Sequence, residues 1–265
     1  METGQLGHKG GEQSHLLDNA KEQPFEAGVF LVDKPAGVTS FNIVQRVRRA
    51  LRIKKVGHAG TLDPFATGLL VVCAGRPATR IIQQLMDGDK EYLATLKLGI
   101  ATDTFDLEGN IVSQTPVRGI DREMAEKSLA RFIGEQLQVP PRFSALKHEG
   151  KPLYFYARKG IEVTKEPRRI TISSIQFCEL REDFLTIRVT CSKGTYIRTL
   201  ADDIGKELGC GAHLTALRRL RSGPFSVEGA VDGAALADRQ KASDLLLSHA
   251  MSVTEVLKNI GKTEQ

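Results

Sequence analysis

Asp63 is a lone carboxylate at the end of a positive run. From Lys34 to Leu62 the chain holds no Asp or Glu but seven basic residues: Lys34, Arg46, Arg48, Arg49, Arg52, Lys54 and Lys55. The stretch around the acid, Gly57-His58-Ala59-Gly60-Thr61-Leu62-Asp63-Pro64-Phe65-Ala66-Thr67-Gly68-Leu69-Leu70, adds three glycines and a proline. Glycine supplies torsions that other residues reach only with strain, so such a loop can bring a carboxylate close to a bulky ligand. A carboxylate held there is a candidate nucleophile, and the basic run would hold a polyanion over it. Taken alone, Asp-Pro between glycines is also ordinary turn chemistry.

Two further groups carry chemical potential. Arg198, in Ser192-Lys193-Gly194-Thr195-Tyr196-Ile197-Arg198-Thr199-Leu200-Ala201, opens a helix, where a cation opposes the dipole; that local cost points to a task elsewhere. Between Arg142 and Arg169 eight basic residues face three acids, interleaved with Phe143, Tyr154, Phe155 and Tyr156. Such a mixture suits a nucleic-acid surface that offers phosphate contacts and stacking platforms, although a long surface loop is the plain alternative.

The elements that must position these groups follow from periodicity. Gly28 to Val32 reads as a short strand ending in the turn Asp33-Lys34-Pro35-Ala36-Gly37. Thr39 and Ser40 can cap a helix with Phe41, Val44, Val47 and Leu51 inward and Arg46, Arg48, Arg49 and Arg52 outward. Leu69 to Ala74 reads as a buried strand and Ala78 to Met86 as a helix with Arg80 in its first turn. Lys90 to Leu98 alternates, placing Tyr92, Ala94, Leu96 and Leu98 on one face. The acids of Gly99 to Gly109 lack EF-hand spacing and fit a turn between strands. Asp121 to Ile133 is an amphipathic helix with Met124, Leu129 and Phe132 inward. Arg169 to Leu180 and Phe184 to Cys191 form a hairpin, a helix follows to Leu208, and Gly209 to Ser222 reads as a strand. Helical patches cover Asp232 to Leu236, Ser243 to Leu247 and Val253 to Leu257.

Composition sets the limits. With 265 residues, 41% hydrophobic and 26% charged, the chain has core enough for stable folding. A net charge of +5 favours a polyanionic partner. No apolar run is long enough for a transmembrane span and no signal-peptide pattern opens the chain, so a cytoplasmic location is expected. The four cysteines are too irregularly spaced for a zinc or redox motif. Cys210 and His213 would make half a metal site, but no second pair follows.

The stretch from Gly57 to Leu70 resembles, over fourteen positions in register, the signature of the TruB family of tRNA pseudouridine synthases, whose loop carries the catalytic aspartate. Lys34-Pro35-Ala36-Gly37, Lys90-Glu91-Tyr92, Thr102-Asp103-Thr104, Gly194 to Ala201 and Gly211-Ala212-His213 through Leu217-Arg218-Arg219 are similar to further family motifs in the same order. The resemblance runs from about Phe30 to Phe225 and implies an α/β (α+β) pseudouridine synthase fold. Its central sheet would be mixed and mostly antiparallel, flanked by helices and loops, with a thumb-like RNA-binding insertion at about residues 139–168.

It also implies that Asp63 is the nucleophile, with Tyr92 stacked on the uracil and Arg198 beside the aspartate as the other catalytic residues. Tyr196 and Leu217 would line the uracil pocket and His58 would help extrude the base. Lys34, Arg80, Phe143 and Lys147 would contact RNA. The family commonly has Tyr where Phe143 stands, which leaves stacking but no hydroxyl. No cofactor and no metal is implied. The expected substrate is the T-stem-loop of tRNA, with uridine 55 isomerised by a monomer. Rival readings are the catalytic subunit of a guide-RNA pseudouridylase, a tRNA-binding folding factor and a glycosidase, the last lacking a second carboxylate.

Residues 1–27 are polar and expected to form a flexible tail, 28–230 the catalytic domain, and 231–265 a short helical extension. Bacterial members of the family usually continue into a PUA domain, and the residues after Leu257 are too few for one.

Overall fold

The computed structural model describes Met1, residues 25–144 and residues 146–261. The expected polar tail falls, between residues 2 and 24, outside the described residues. Strand β1, Gly28–Lys34, runs two residues beyond the apolar segment, so Lys34 ends a strand rather than sitting in the turn. Helix α1, Ser40–Ala50, starts at a capping box: the Asn42 N–H donates to Thr39 Oγ1 at 3.0 Å and the Thr39 N–H to Asn42 Oδ1 at 3.2 Å. Its buried face is Ile43, Val44 and Val47, while Phe41, expected inward, is 59% exposed. Ile43 lies closer than Phe41 to the stripe that Val44 and Val47 define, and it takes the core place.

Strands β2, Val56–Ala59, and β3, Thr67–Ala74, pair antiparallel, and the signature loop is the segment between them. His58 is therefore a strand residue, opposite Val72. The helix expected over Ala78 to Met86 is two: α2, Arg76–Arg80, and α3, Ile82–Asp87. Pro77 starts α2 early, which leaves Arg80 in its last turn instead of its first. Strand β4, Lys90–Leu98, alternates buried and half-buried residues throughout, with Tyr92, Ala94, Leu96 and Leu98 on the buried face as expected.

Strands β5, Ile100–Thr102, and β6, Ile111–Gln114, form a hairpin whose turn holds Asp103, Asp106 and Glu108. Helix α4, Arg122–Ala130, is capped by Asp121, which accepts the Met124 N–H at 2.9 Å. That start turns Ala125 and Leu129 inward and leaves Met124 47% exposed, contrary to the expected face. Strand β7, Gly134–Gln138, precedes the segment read as a thumb, which contains a two-residue hairpin, β8 (Lys147–His148) with β9 (Lys151–Pro152), and helix α5, Leu153–Ala157. Strands β10, Arg168–Arg181, and β11, Phe184–Cys191, make the expected hairpin. Helix α6, Ile197–Glu207, and strand β12, Ala212–Ser222, follow.

The remainder returns to the sheet. β13, Phe225–Ser226, pairs with β12, and β14, Val231–Asp232, pairs with β1. The expected helix over Asp232 to Leu236 is thus a strand end plus a single turn, Ala235–Ala237. Helices α7, Ala242–Leu247, and α8, Val253–Gly261, cover the two faces: Leu246 packs with Phe30 and Ile43, Val256 with Val29 and Leu69.

Ten strands form one mixed, mostly antiparallel sheet, in the order β14-β1-β3-β12-β4-β11-β10-β7, with β2 on β3 and β13 on β12. Only β1–β14 and β3–β12 run parallel. β3 sits under cover on both faces, Leu70 and Val72 in one cluster and Leu69 and Val71 in another, which explains its unbroken apolar run. β3 and β12 approach closely at Gly68, whose φ is +98° and where a Cβ would lie 2.2 Å from the Arg219 carbonyl oxygen. Only glycine fits there.

Candidate active site

Three distant segments meet at Arg198. It is the second residue of α6 and only 5% exposed. Its Nε lies 3.0 Å from Asp63 Oδ2 and its Nη2 donates to Asp63 Oδ1 at 3.3 Å, a planar fork against a planar carboxylate. Nη1 donates to Asp106 Oδ2 at 3.3 Å, and Nη2 also donates to the Phe143 carbonyl at 2.7 Å. The signature loop, the β5–β6 turn and the segment between β7 and β8 are thereby tied to one side chain. Asp106 is itself held, accepting from Thr104 Oγ1 at 2.6 Å and from the Glu108 N–H at 3.0 Å. A guanidinium at a helix N-terminus opposes the dipole, and the two carboxylates act against that cost.

The loop is pinned from behind as well. Ser40 Oγ accepts the Leu62 N–H at 2.9 Å and donates to the Leu62 carbonyl at 3.1 Å. Lys34 is fully buried and its Nζ donates to the carbonyls of Pro35 (2.9 Å), Val38 (2.7 Å) and Pro64 (3.2 Å). An ammonium has three donors, and all three are used, so Lys34 has none left for the RNA contact expected of it. Its task is to position the residue after Asp63.

The electrostatics are opposed. Burial pushes the Asp63 carboxyl up from its ordinary value and Asp106 adds to this, while Arg198 and Lys34 pull it down; the outcome is a raised pKa. Burial brings Lys34 down to about 8, against the pull of Asp63. The Asp63 side chain remains 32% exposed, so a substrate atom can reach it.

Beside the carboxylate, Leu62, Ala66, Tyr92 and Leu217 share one apolar cluster. Tyr92 on β4 stands opposite Arg219 on β12. Arg219, only 1% exposed, donates from Nε to the Leu69 carbonyl at 2.6 Å and from Nη2 to the Gly60 carbonyl at 3.1 Å. Arg219 is thus a buried brace between β3 and the signature loop. Burial, and after it the charge of Arg219, lowers the pKa of the half-buried His58 imidazole, which favours its neutral form at pH 7. The backbone of Tyr196 exchanges two hydrogen bonds with the Gln138 side chain, at 2.8 and 3.1 Å, which sets the N-terminus of α6.

Phe143 is half-buried and meets the cluster through its carbonyl. Arg80 and Lys147 are exposed and, among the described residues, hold no side-chain hydrogen bond or ion pair. Asp106, Ser40, Gln138 and Arg219 were not among the site residues expected from sequence, although Ser40 was read as a helix cap. Asp106 had a signal, since it lies in an acidic turn close to the Thr-Asp-Thr motif, and Arg219 had one in the Leu217-Arg218-Arg219 motif; Gln138 had none.

The model of the TruB family pseudouridylate synthase N-terminal domain matches residues 48–197, more than half of the chain. The chain belongs to the TruB family. The model of the tRNA pseudouridylate synthase B C-terminal domain matches residues 198–258. The TruB N-terminal match takes in Asp63, Tyr92 and Asp106, and the C-terminal match begins at Arg198, so the cluster joins the two.

The chain is 57% identical to the tRNA pseudouridine synthase B of Desulfotalea psychrophila over 243 residues, covering 90% of this chain and 98% of that protein. It is 50% identical to that of Syntrophotalea carbinolica over 230 residues, covering 86% and 75%. Among solved structures, an H/ACA ribonucleoprotein bound to a substrate RNA containing 2′-deoxyuridine superposes with a TM-score of 0.64 at 27% identity, covering 88% of this chain and 61% of that one. The mixed α/β sheet of this TruB chain is thus a pseudouridine synthase fold.

Proposed function

We propose that the protein isomerises uridine 55 in the T-loop of tRNA to pseudouridine. The reaction breaks the C1′–N1 bond, turns the uracil, joins C1′ to C5 and releases the C5 hydrogen as a proton, with no net oxidation. The observation that carries this reading is the Asp63–Arg198 pair: a carboxylate held by a planar fork yet 32% exposed, in a chain of the TruB family. The two relatives described above are both named as tRNA pseudouridine synthases, which favours tRNA over a guide-RNA substrate.

Asp63 acts as the nucleophile at C1′ or, on the other route, as the base that takes the C2′ proton. Arg198 keeps it oriented and favours its ionised form. The ring of Tyr92 stacks on the extruded uracil, a contact worth about 1 to 3 kcal/mol, with Tyr196 and Leu217 closing the pocket. Neutral His58 fills in where the base leaves the stack, and such pocket contacts offset the few kcal/mol of unstacking. Arg80 and Lys147 take phosphates, and Phe143 offers a stacking surface. The catalytic domain is residues 28–230 with the thumb at 139–168, followed by a C-terminal extension. The enzyme works as a cytoplasmic monomer on the T-stem-loop.

The test is tritium release from unmodified tRNA labelled at uridine C5. Release mapped to one T-loop uridine without guide RNA is the expected result. Tight binding without release would favour a folding factor and reject the reading.

A further inference from the structure

The arginines along α1 do not all serve the fold. Arg46, Arg49 and Arg52 recur at three-residue spacing, on one side of the helix and its C-terminal turn. With Arg239 they line a cavity of about 500 Å³ between the end of α1 and residues 236–243. Among the described residues no acid lines it, and Asp63 is not part of it. Arg46 donates to the Gly233 carbonyl at 2.7 Å and Arg49 to the Gln45 carbonyl at 3.3 Å. Among the described residues none of the four forms an ion pair, and Arg52 and Arg239 make no side-chain hydrogen bond. Guanidinium groups sharing one space repel one another unless an anion lies between them.

Arg52 adds a second observation. The Ile53 N–H donates to the Arg48 carbonyl at 3.2 Å, closing the turn that ends α1, and Arg52 occupies its left-handed position with φ +54°. Glycine is favoured at that position. The helix dipole accounts for cations in the last turn of α1. It accounts neither for an arginine under backbone strain nor for Arg239, brought in from the far end of the chain.

We infer that this cavity binds backbone phosphates of the RNA substrate, at a site separate from Asp63. Four cations exceed the charge of one free phosphate and match several phosphodiesters, so a chain of phosphates is the better occupant. Ser40, at the start of α1, is hydrogen-bonded to Leu62 beside Asp63. Arg46 and Arg49 lie six and nine residues further on, about 9 and 14 Å along the helix axis, and Arg52 follows just past the helix end. The site therefore engages nucleotides other than the one undergoing reaction. The inference rests on the reading that the substrate is tRNA.

The test is the salt dependence of binding to unmodified full-length tRNA, for the wild type and the triple variant Arg49→Gln, Arg52→Gln, Arg239→Gln. The slope of log affinity against log salt is expected to shrink by about 2 to 3, with kcat at saturating tRNA unchanged within about twofold. An unchanged slope, with the wild type binding normally, overturns this inference and leaves the functional reading standing. A wild type that bound no tRNA would overturn both. Loss of stabilisation by added inorganic phosphate in the triple variant, with the tRNA slope unchanged, would assign the cavity to a free anion and overturn the RNA assignment. Arg52→Gly guards against a purely structural role: relief of the left-handed strain should raise Tm by about 1 to 2 °C while tRNA affinity falls about threefold or more. A higher Tm with unaltered affinity would overturn the role of Arg52 in binding.

Discussion

Arg198 lays one edge of its guanidinium along Asp63, Nε 3.0 Å from Oδ2 and Nη2 3.3 Å from Oδ1, and turns Nη1 toward Asp106 at 3.3 Å. One cation thus serves two carboxylates, only one of which reaches solvent. Removing the Asp63 charge leaves Arg198 paired with Asp106. Asp63→Asn should therefore fold and bind tRNA while turnover falls by more than about 10⁴-fold, as expected for loss of a nucleophile. Tritium release together with tRNA binding checks this, and normal turnover would remove Asp63 from its role.

Arg198→Lys keeps the charge and loses the fork. A single ammonium cannot span Asp63, Asp106 and the Phe143 carbonyl at once. A fall in kcat of about 10²- to 10³-fold is expected with tRNA affinity little changed. Measured kcat and Kd for the variant decide whether orientation, rather than charge alone, matters.

Asp63 must be ionised to attack, and its pKa is raised, so kcat/KM should rise with pH along a limb lying above the ordinary carboxylate value of 3.8. The linked stability has the opposite sign. A folded pKa above the unfolded one means the native state binds more protons in that window, so ionising Asp63 costs stability as pH rises through it. Asp63→Asn should accordingly melt higher than the wild type at pH 7, with the difference vanishing below the unfolded value. Paired pH–rate and pH–Tm profiles test both signs.

Lys34 titrates at about 8 in the fold against 10.5 in the unfolded chain. Between those values the unfolded chain binds more protons, so this group favours the fold increasingly as pH rises from 8 to 10.5. A neutral amine nonetheless has two donors for the three carbonyls, and the hold on Pro64 loosens. Activity should decline above pH 8 without unfolding. Lys34→Met would strand those carbonyls and cost about 2 to 4 kcal/mol in urea denaturation.

Gly68→Ala forces a Cβ to within 2.2 Å of the Arg219 carbonyl oxygen at a φ of +98°. β3 and β12 must separate, and the Arg219 brace on Leu69 and Gly60 goes with them. A loss above about 3 kcal/mol is expected, read by denaturant titration.

Much of the architecture was legible because it rests on local pattern. The alternation of β4 appears in the structure with Tyr92 on the buried face, and the β10–β11 hairpin, α6 and β12 lie within a few residues of where periodicity put them. Helix faces were less legible. Phe41 and Met124 are apolar, yet both are exposed, because other residues, Ile43 and Ala125, lie nearer the stripe that packs inward.

The sequence by itself determined the motifs, the nucleophile candidate and the class of chemistry, since those depend on residue type and order along the chain. Only the tertiary structure decided that Lys34 spends its three donors on carbonyls, that Asp106 shares Arg198 with Asp63, and that Arg219 is buried. Apart from the two local carbonyls that Lys34 holds, each is a pairing across 30 to 150 residues of chain, and β12 carries register shifts between Leu214 and Ala216 and between Arg219 and Arg221. A bulge changes which face a side chain takes, so strand alternation could not say which of Arg218 and Arg219 would lie inside. Burial, partner and pKa are properties of the space around a side chain, and that space is assembled only when distant strands meet.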